Sequence, residues 1–124
     1  MANEIVKSER KVLQEFATGL EMFREATQGE HIEIQTVLSF IYVALEEDRE
    51  EGGLNVKDVA ERLGTTTASS SRNLTLLSMG FRGHKKKGLE LIQLIEDPMC
   101  RIKKIVSLTD KGRTLKRKLA GIFA

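Results

Sequence analysis

The stretch Asn55–Phe81, NVKDVAERLGTTTASSSRNLTLLSMGF, constrains the fold more than any other part of the chain. Val56, Val59, Ala60 and Leu63 recur at i, i+3, i+4 and i+7, which makes one apolar face of a helix over Val56–Leu63. Asn55 stands in the N-cap position, and Asp58 falls in the first turn, where the helix dipole favours negative charge. Gly64 follows as the residue that ends the helix. Thr66 then caps a second helix reaching roughly to Ser78, with Leu74 and Leu77 turned inward. Its other side carries Thr67, Ser69, Ser71, Arg72 and Thr75: small hydrogen-bonding groups, one arginine and no carboxylate. Such a face can lie close against phosphates and base edges, and the two short helices read as a helix-turn-helix. Before Asn73 the outward face offers no Asn or Gln, so it suits close approach better than strong base readout.

A length of 124 residues fits one domain. The net charge of +2 conceals a division. Met1–Glu51 holds 5 Lys and Arg against 12 Asp and Glu, net −7, whereas Gly52–Ala124 holds 15 against 6, net +9. A basic half that contains the helix-turn-helix points to a polyanionic partner, with the acidic half facing away from it. The single cysteine, Cys100, allows no internal disulfide and fits a reducing compartment. No apolar run approaches the roughly 20 residues of a membrane span, and no signal-peptide pattern opens the chain, so the expected location is the cytoplasm.

In chain order, Ile5–Thr27 reads as a long helix. Val6, Leu13 and Leu20 repeat every seven residues, with Phe16 and Phe23 as an offset second series. This seam is expected to dimerise rather than pack only within its own chain. Ile32–Glu47 reads as a central core helix whose broad face comprises Ile34, Val37, Leu38, Ile41, Tyr42 and Leu45, with Phe40 and Val43 beside it. The acidic run Glu46–Glu51 is expected to form a solvated loop. Leu89–Ile95 and Arg101–Leu108 read as an antiparallel hairpin around a turn at Glu96–Cys100, where Asp97-Pro98 starts the turn. Thr109 then caps a last helix with a stripe of Leu115, Leu119 and Ile122.

The expected fold is therefore mainly α with a small β-hairpin (α+β): a winged helix-turn-helix with a long N-terminal helix. It forms one domain over 1–124, in which 1–28 dimerises and 31–119 makes the core, helix-turn-helix and wing. A basic hairpin beside a recognition helix can follow the backbone or enter the minor groove. The residues expected at double-stranded DNA are Thr66, Thr67, Ser69, Ser71, Arg72, Thr75, Lys85, Lys86, Lys87, Arg101, Lys103 and Lys104.

Three segments resemble the MarR (multiple antibiotic resistance regulator) family of winged helix transcription regulators. They are IQTVLSFIYVA followed by LNVKDVAERLG; Ser71-Arg72 with Leu74, Leu77 and a following glycine; and DPMCRIKKIVSLTDKG, similar to a wing-and-exit pattern DP.DRR.K.V.LT.KG. The resemblance implies a homodimeric regulator, with repression as the expected sign, whose two recognition helices enter successive major grooves of a palindromic operator. It implies that Thr67, Ser69, Ser71 and Arg72 face the groove, and that Asp97 and Arg101 match the wing's acid and first arginine. Cys100 and Ile102 stand where the family carries a second Asp and a second Arg. The segment Arg82–Leu89 lengthens the path to the wing, and the last helix is short, so the expected dimer leans on the N-terminal seam. A compact relative from a phage or mobile element would fit this size. Family members bind small effectors between their lobes, and no residue here identifies one.

Catalysis is not expected: there is no phosphate-cradling glycine motif, no Cys/His nucleophile pair and no carboxylate cluster. No cofactor is expected. His31 beside Glu33 lacks further ligands for a metal. Two other classes stay open. One is a winged helix module of a replication or recombination complex; the other is a protein-interaction module of an RNA polymerase complex.

Overall fold

The computed structural model describes residues 2–27, 31–47, 53–79, 88–97 and 100–123, with the backbone alone described for 2–7, 97 and 100–103. Its elements are α1 (Ala2–Ala26), α2 (Ile34–Leu45), α3 (Val56–Leu63), α4 (Thr67–Leu77), β1 (Ile92–Asp97), β2 (Cys100–Leu108) and α5 (Asp110–Phe123). This is the mainly α winged helix-turn-helix with one hairpin that the sequence predicts.

Local chemistry fixes α3. The Asn55 side chain accepts from the Asp58 amide at 2.8 Å, while the Asp58 carboxylate accepts from the Asn55 amide at 3.1 Å. This reciprocal box satisfies two donors that the helix start would otherwise leave open. Gly64 closes the helix in the left-handed region at φ 67°. One turn later Thr66 caps α4 by accepting from the Ser69 amide at 3.1 Å. The inward face of α4 is Ser70, Asn73, Leu74 and Leu77. Asn73 is thus buried and not at the outer face.

The face of α2 differs from the expected one. Thr36, Ser39, Phe40, Val43 and Ala44 are buried, whereas Ile34 and Leu45 are 65% and 67% exposed and Leu38 is also exposed. A helix apolar nearly all round has no hydrophobic phase to read, so its packing partner decides which side turns in. Here Thr36 of α2 meets α4, donating to the Asn73 side-chain oxygen at 3.0 Å, while the buried Ser39 hydroxyl is satisfied within α2 by donating to the Gln35 carbonyl at 2.7 Å. Phe40, Val59, Leu74, Leu77, Leu91, Val106 and Leu108 form the centre of the core around this contact.

The hairpin pairs Ile92 with Leu108, Leu94 with Val106 and Glu96 with Lys104, with an irregularity between Glu96 and Asp97. Val106 and Leu108 face the core. On its other edge β2 meets the entry to α3: the Val106 amide donates to the Leu54 carbonyl at 2.8 Å, and Asn55 bridges Ile105. Gly53 is required at this approach, since a Cβ there would lie 2.7 Å from the Val106 carbonyl oxygen.

Residues Leu89–Leu91, expected to begin the first strand, instead dock on the end of α4. The amides of Gly88, Leu89, Glu90 and Leu91 donate to the carbonyls of Met79, Leu76, Ser78 and Leu77 at 2.8–3.0 Å. The carbonyls that a helix end leaves open take these donors before the ladder can. Thr109 donates to the Glu90 carbonyl at 2.6 Å and accepts from the Gly112 amide at 3.1 Å, so the cap of α5 is tied to the same segment.

The C-terminal half of α1 packs on α5, where Gly19 faces Leu119 and Ile122. Phe23, expected in the dimer seam, belongs to the chain's own core: it is 3% exposed and meets Phe40 edge-on at 5.5 Å. Heptad spacing records that a residue is apolar every few turns, not which chain covers it. Leu13, Phe16 and Leu20 remain exposed, with Val12 beside them. The side chain of Val6 lies outside the described residues.

Two acids of the run expected to be solvated are instead engaged. Glu46 accepts from Arg62 of α3 at 2.6 Å. Glu47, only 13% exposed at its side chain, is bonded by Arg113 and by Lys116, the latter at 3.0 Å. Burial alone would push the Glu47 carboxyl up, but the hydrogen bonds from Lys116 and Arg113 outweigh that and hold it below the usual carboxylate range. The acidic and basic halves therefore meet at the end of α2.

Candidate nucleic-acid interface

The outward side of α4 is held in place from both ends and from beneath. Thr66 caps its start, the Gly88–Leu91 amides satisfy its last carbonyls, and Leu74 and Leu77 seat it in the core. Thr67, Ser71 and Arg72 are exposed on that side. Ser69 is half-buried, and the half-buried Thr75 donates to the Ser71 carbonyl at 2.7 Å. The Thr66 oxygen accepts the cap bond, which leaves its O–H free to donate outward.

A groove of about 550 Å³ runs between this side of α4, the first turns of α3 and strand β2. Thr67 and Ser71 line one wall, Asn55, Lys57, Asp58 and Glu61 another, and Lys104 closes the β2 side. The pairing of β2 with Leu54–Asn55 brings Lys104 to α3, because it fixes the strand beside the helix entry. Of the expected wing residues, Lys104 is described and exposed. Arg101 and Lys103 lie in β2 with their side chains outside the described residues, and Lys85, Lys86 and Lys87 lie outside them altogether.

Lys57 lines the groove although it is not among the residues that the sequence predicts at DNA. It is exposed, in the first turn of α3. Its position off the Val56–Val59–Ala60–Leu63 face was the available signal. Chemically the groove is suited to a polyanion at its lysine edges. The Asp58 carboxylate is turned to its capping role, while Glu61 remains an exposed acid on the α3 wall. Among the described residues there is no group of three or more His, Cys, Asp or Glu placed to hold a metal, and no helix is long and apolar enough to cross a membrane.

No protein-family model and no curated protein matches the sequence. Solved structures do match the fold. A crystal structure of a Staphylococcus aureus MepR–DNA complex is 22% identical, with a TM-score of 0.65, over 98% of this chain and 82% of that one. A mutant MepR bound to an oligodeoxyribonucleotide is 17% identical, with a TM-score of 0.68, over 99% and 76%. RV1404 from Mycobacterium tuberculosis is 20% identical, with a TM-score of 0.62, over 98% and 69%. The shared order of helices, helix-turn-helix and hairpin, superposed over nearly the whole chain, gives this protein the MarR-type winged helix fold.

Proposed function

We propose that the protein is a transcription regulator that binds double-stranded DNA as a homodimer. The observation that carries this reading is the outward side of α4, where Thr67, Ser71 and Arg72 stand exposed beside a groove edged by Lys57 and Lys104. The MepR structures, captured with DNA, supply a precedent for the use of this fold. In this reading α4 lies in the major groove, with Thr67, Ser69, Ser71 and Arg72 toward base edges and Thr66 and Thr75 toward the backbone. The wing, through Arg101, Lys103 and Lys104, and the preceding Lys85–Lys87 follow the backbone or the minor groove. Residues 1–28 join two copies through Leu13, Phe16 and Leu20, and residues 31–119 form the DNA-binding body. Repression follows if the bound site overlaps a promoter. The protein acts in the cytoplasm by binding, not by catalysis.

Selection from a random duplex pool tests this directly. The wild type should enrich one motif of two related half-sites, and Arg72→Ala should lose that selection while keeping its fold. With about six phosphate contacts, affinity should fall on the order of a thousandfold between 50 and 200 mM salt. A reporter whose promoter carries the selected site should lose expression when the protein is supplied. A folded wild type that enriches nothing at physiological salt would overturn the proposal.

A further inference from the structure

Half of the buried face of α4 is polar. Of Ser70, Asn73, Leu74 and Leu77, the first two make directed bonds to different elements. Ser70, fully buried, donates to the Val56 carbonyl at the start of α3 at 3.0 Å. The Asn73 side-chain oxygen accepts from Thr36 of α2, itself 1% exposed, at 3.0 Å. These two residues are sequence neighbours of Ser71 and Arg72 on the outward side. An apolar contact between helices tolerates a small rotation, because dispersion is not directional. A hydrogen bond with one donor and one acceptor does not.

We infer that Ser70 and the Thr36–Asn73 pair are positioning residues that fix the rotation of α4 about its own axis. They thereby determine which side chains reach the DNA, rather than supplying fold stability. The inference rests on the DNA-binding reading above for its functional consequence. Its physical basis is independent of that reading. Replacing both partners of a buried hydrogen bond by apolar groups of similar shape is nearly neutral in stability, whereas such a pair can set a unique register. The Gly88–Leu91 amides clamp the C-terminal end of α4, and Leu74 and Leu77 seat it, so loss of the two side-chain bonds leaves the helix in place while the turns that carry Ser71 and Arg72 become free to rotate.

The test is the double variant Thr36→Val/Asn73→Leu, with Thr36→Ser as the conservative control and Ser70→Ala as a second, independent pin. The double variant should melt no lower than the wild type and keep its affinity for unrelated duplex. Its discrimination between the selected duplex and a scrambled one should fall about tenfold, the size of one lost base contact. Thr36→Ser, which keeps the hydroxyl, should retain discrimination, and Ser70→Ala should lose it in part. Unchanged discrimination in the folded double variant overturns the inference. So does a double variant that no longer folds, since the pair would then be core structure. If the wild type selects no motif, the DNA-binding reading falls separately, and amide exchange decides the pinning. Protection at Leu74–Leu77 that drops about tenfold relative to Val59–Leu63 supports it, and retained protection overturns it.

Discussion

Glu47 and Arg113, 66 positions apart in sequence, are joined carboxylate to guanidinium, and this contact ties the end of α2 to α5. Lys116 bonds the other carboxylate oxygen at 3.0 Å. Since α2 lies under α4 and α5 packs on α1, the contact joins the candidate nucleic-acid interface to the proposed dimer end.

The Glu47 contact should show in the pH dependence of stability. A carboxyl held below its ordinary value contributes stability that is full above about pH 4.5 and is lost as the pH falls through the lowered value. Glu47→Gln should therefore cost about 1 kcal/mol at pH 7, discounted because its partners are partly solvated. The difference from wild type should close below the ordinary carboxylate range. Urea titrations at pH 7, 5, 4 and 3 would show it, and a constant difference at every pH would exclude an electrostatic origin.

The capping box makes a local prediction. Asn55→Ala removes the acceptor for the Asp58 amide and should destabilise the protein by about 1 kcal/mol. Asn55→Ser should recover most of that. Denaturant midpoints of the three proteins measure it.

Two glycines of α5 should respond in opposite directions to alanine. A Cβ on Gly112 would lie 2.0 Å from the Leu91 carbonyl oxygen, where α5 is clamped against the docked segment, so Gly112→Ala should cost about 3 kcal/mol. Gly121 has nothing within 4 Å, and Gly121→Ala should stabilise by about 0.5 kcal/mol through helix propensity. Paired thermal melts settle the sign.

The two halves of the heptad pattern should also separate. Leu13 is 68% exposed, so Leu13→Glu should leave monomer stability nearly unchanged and convert a dimer to a monomer in sedimentation. Phe23→Ala should instead cost about 3 kcal/mol of fold stability, because it empties a core position. An unchanged mass for Leu13→Glu would assign the exposed stripe to something other than self-association.

What the sequence reveals here depends on whether the deciding interaction is local. The bounds of α3 are legible because Asn55, Asp58 and Gly64 act within a few residues of one another. The caps of α4 and α5 at Thr66 and Thr109 are legible for the same reason. The phase of α2 is not, because Ile34 and Leu45 are as apolar as Phe40 and only α4 distinguishes them. Asn73 looks like an outward reader until Thr36 is found opposite it. Leu89–Leu91 have strand composition, yet the open carbonyls of α4 capture their amides. At the candidate interface, the exposed Thr67, Ser71 and Arg72 of α4 are legible from helical spacing, whereas Lys57 joins them only through the folding of β2 against the start of α3.

The hydrogen bond from the Gly88 amide to the Met79 carbonyl, at 3.0 Å, has a further implication for how this fold can vary. The two ends of the connection 80–87 stand at one bonded pair. Lengthening or shortening that connection should therefore shift neither α4 nor β1, since doubling such a connection costs only about 0.6 kcal/mol in closure entropy. The bonded pair Gly88–Met79 thus marks a point where a change of chain length should leave the packing of α4 and β1 as it is.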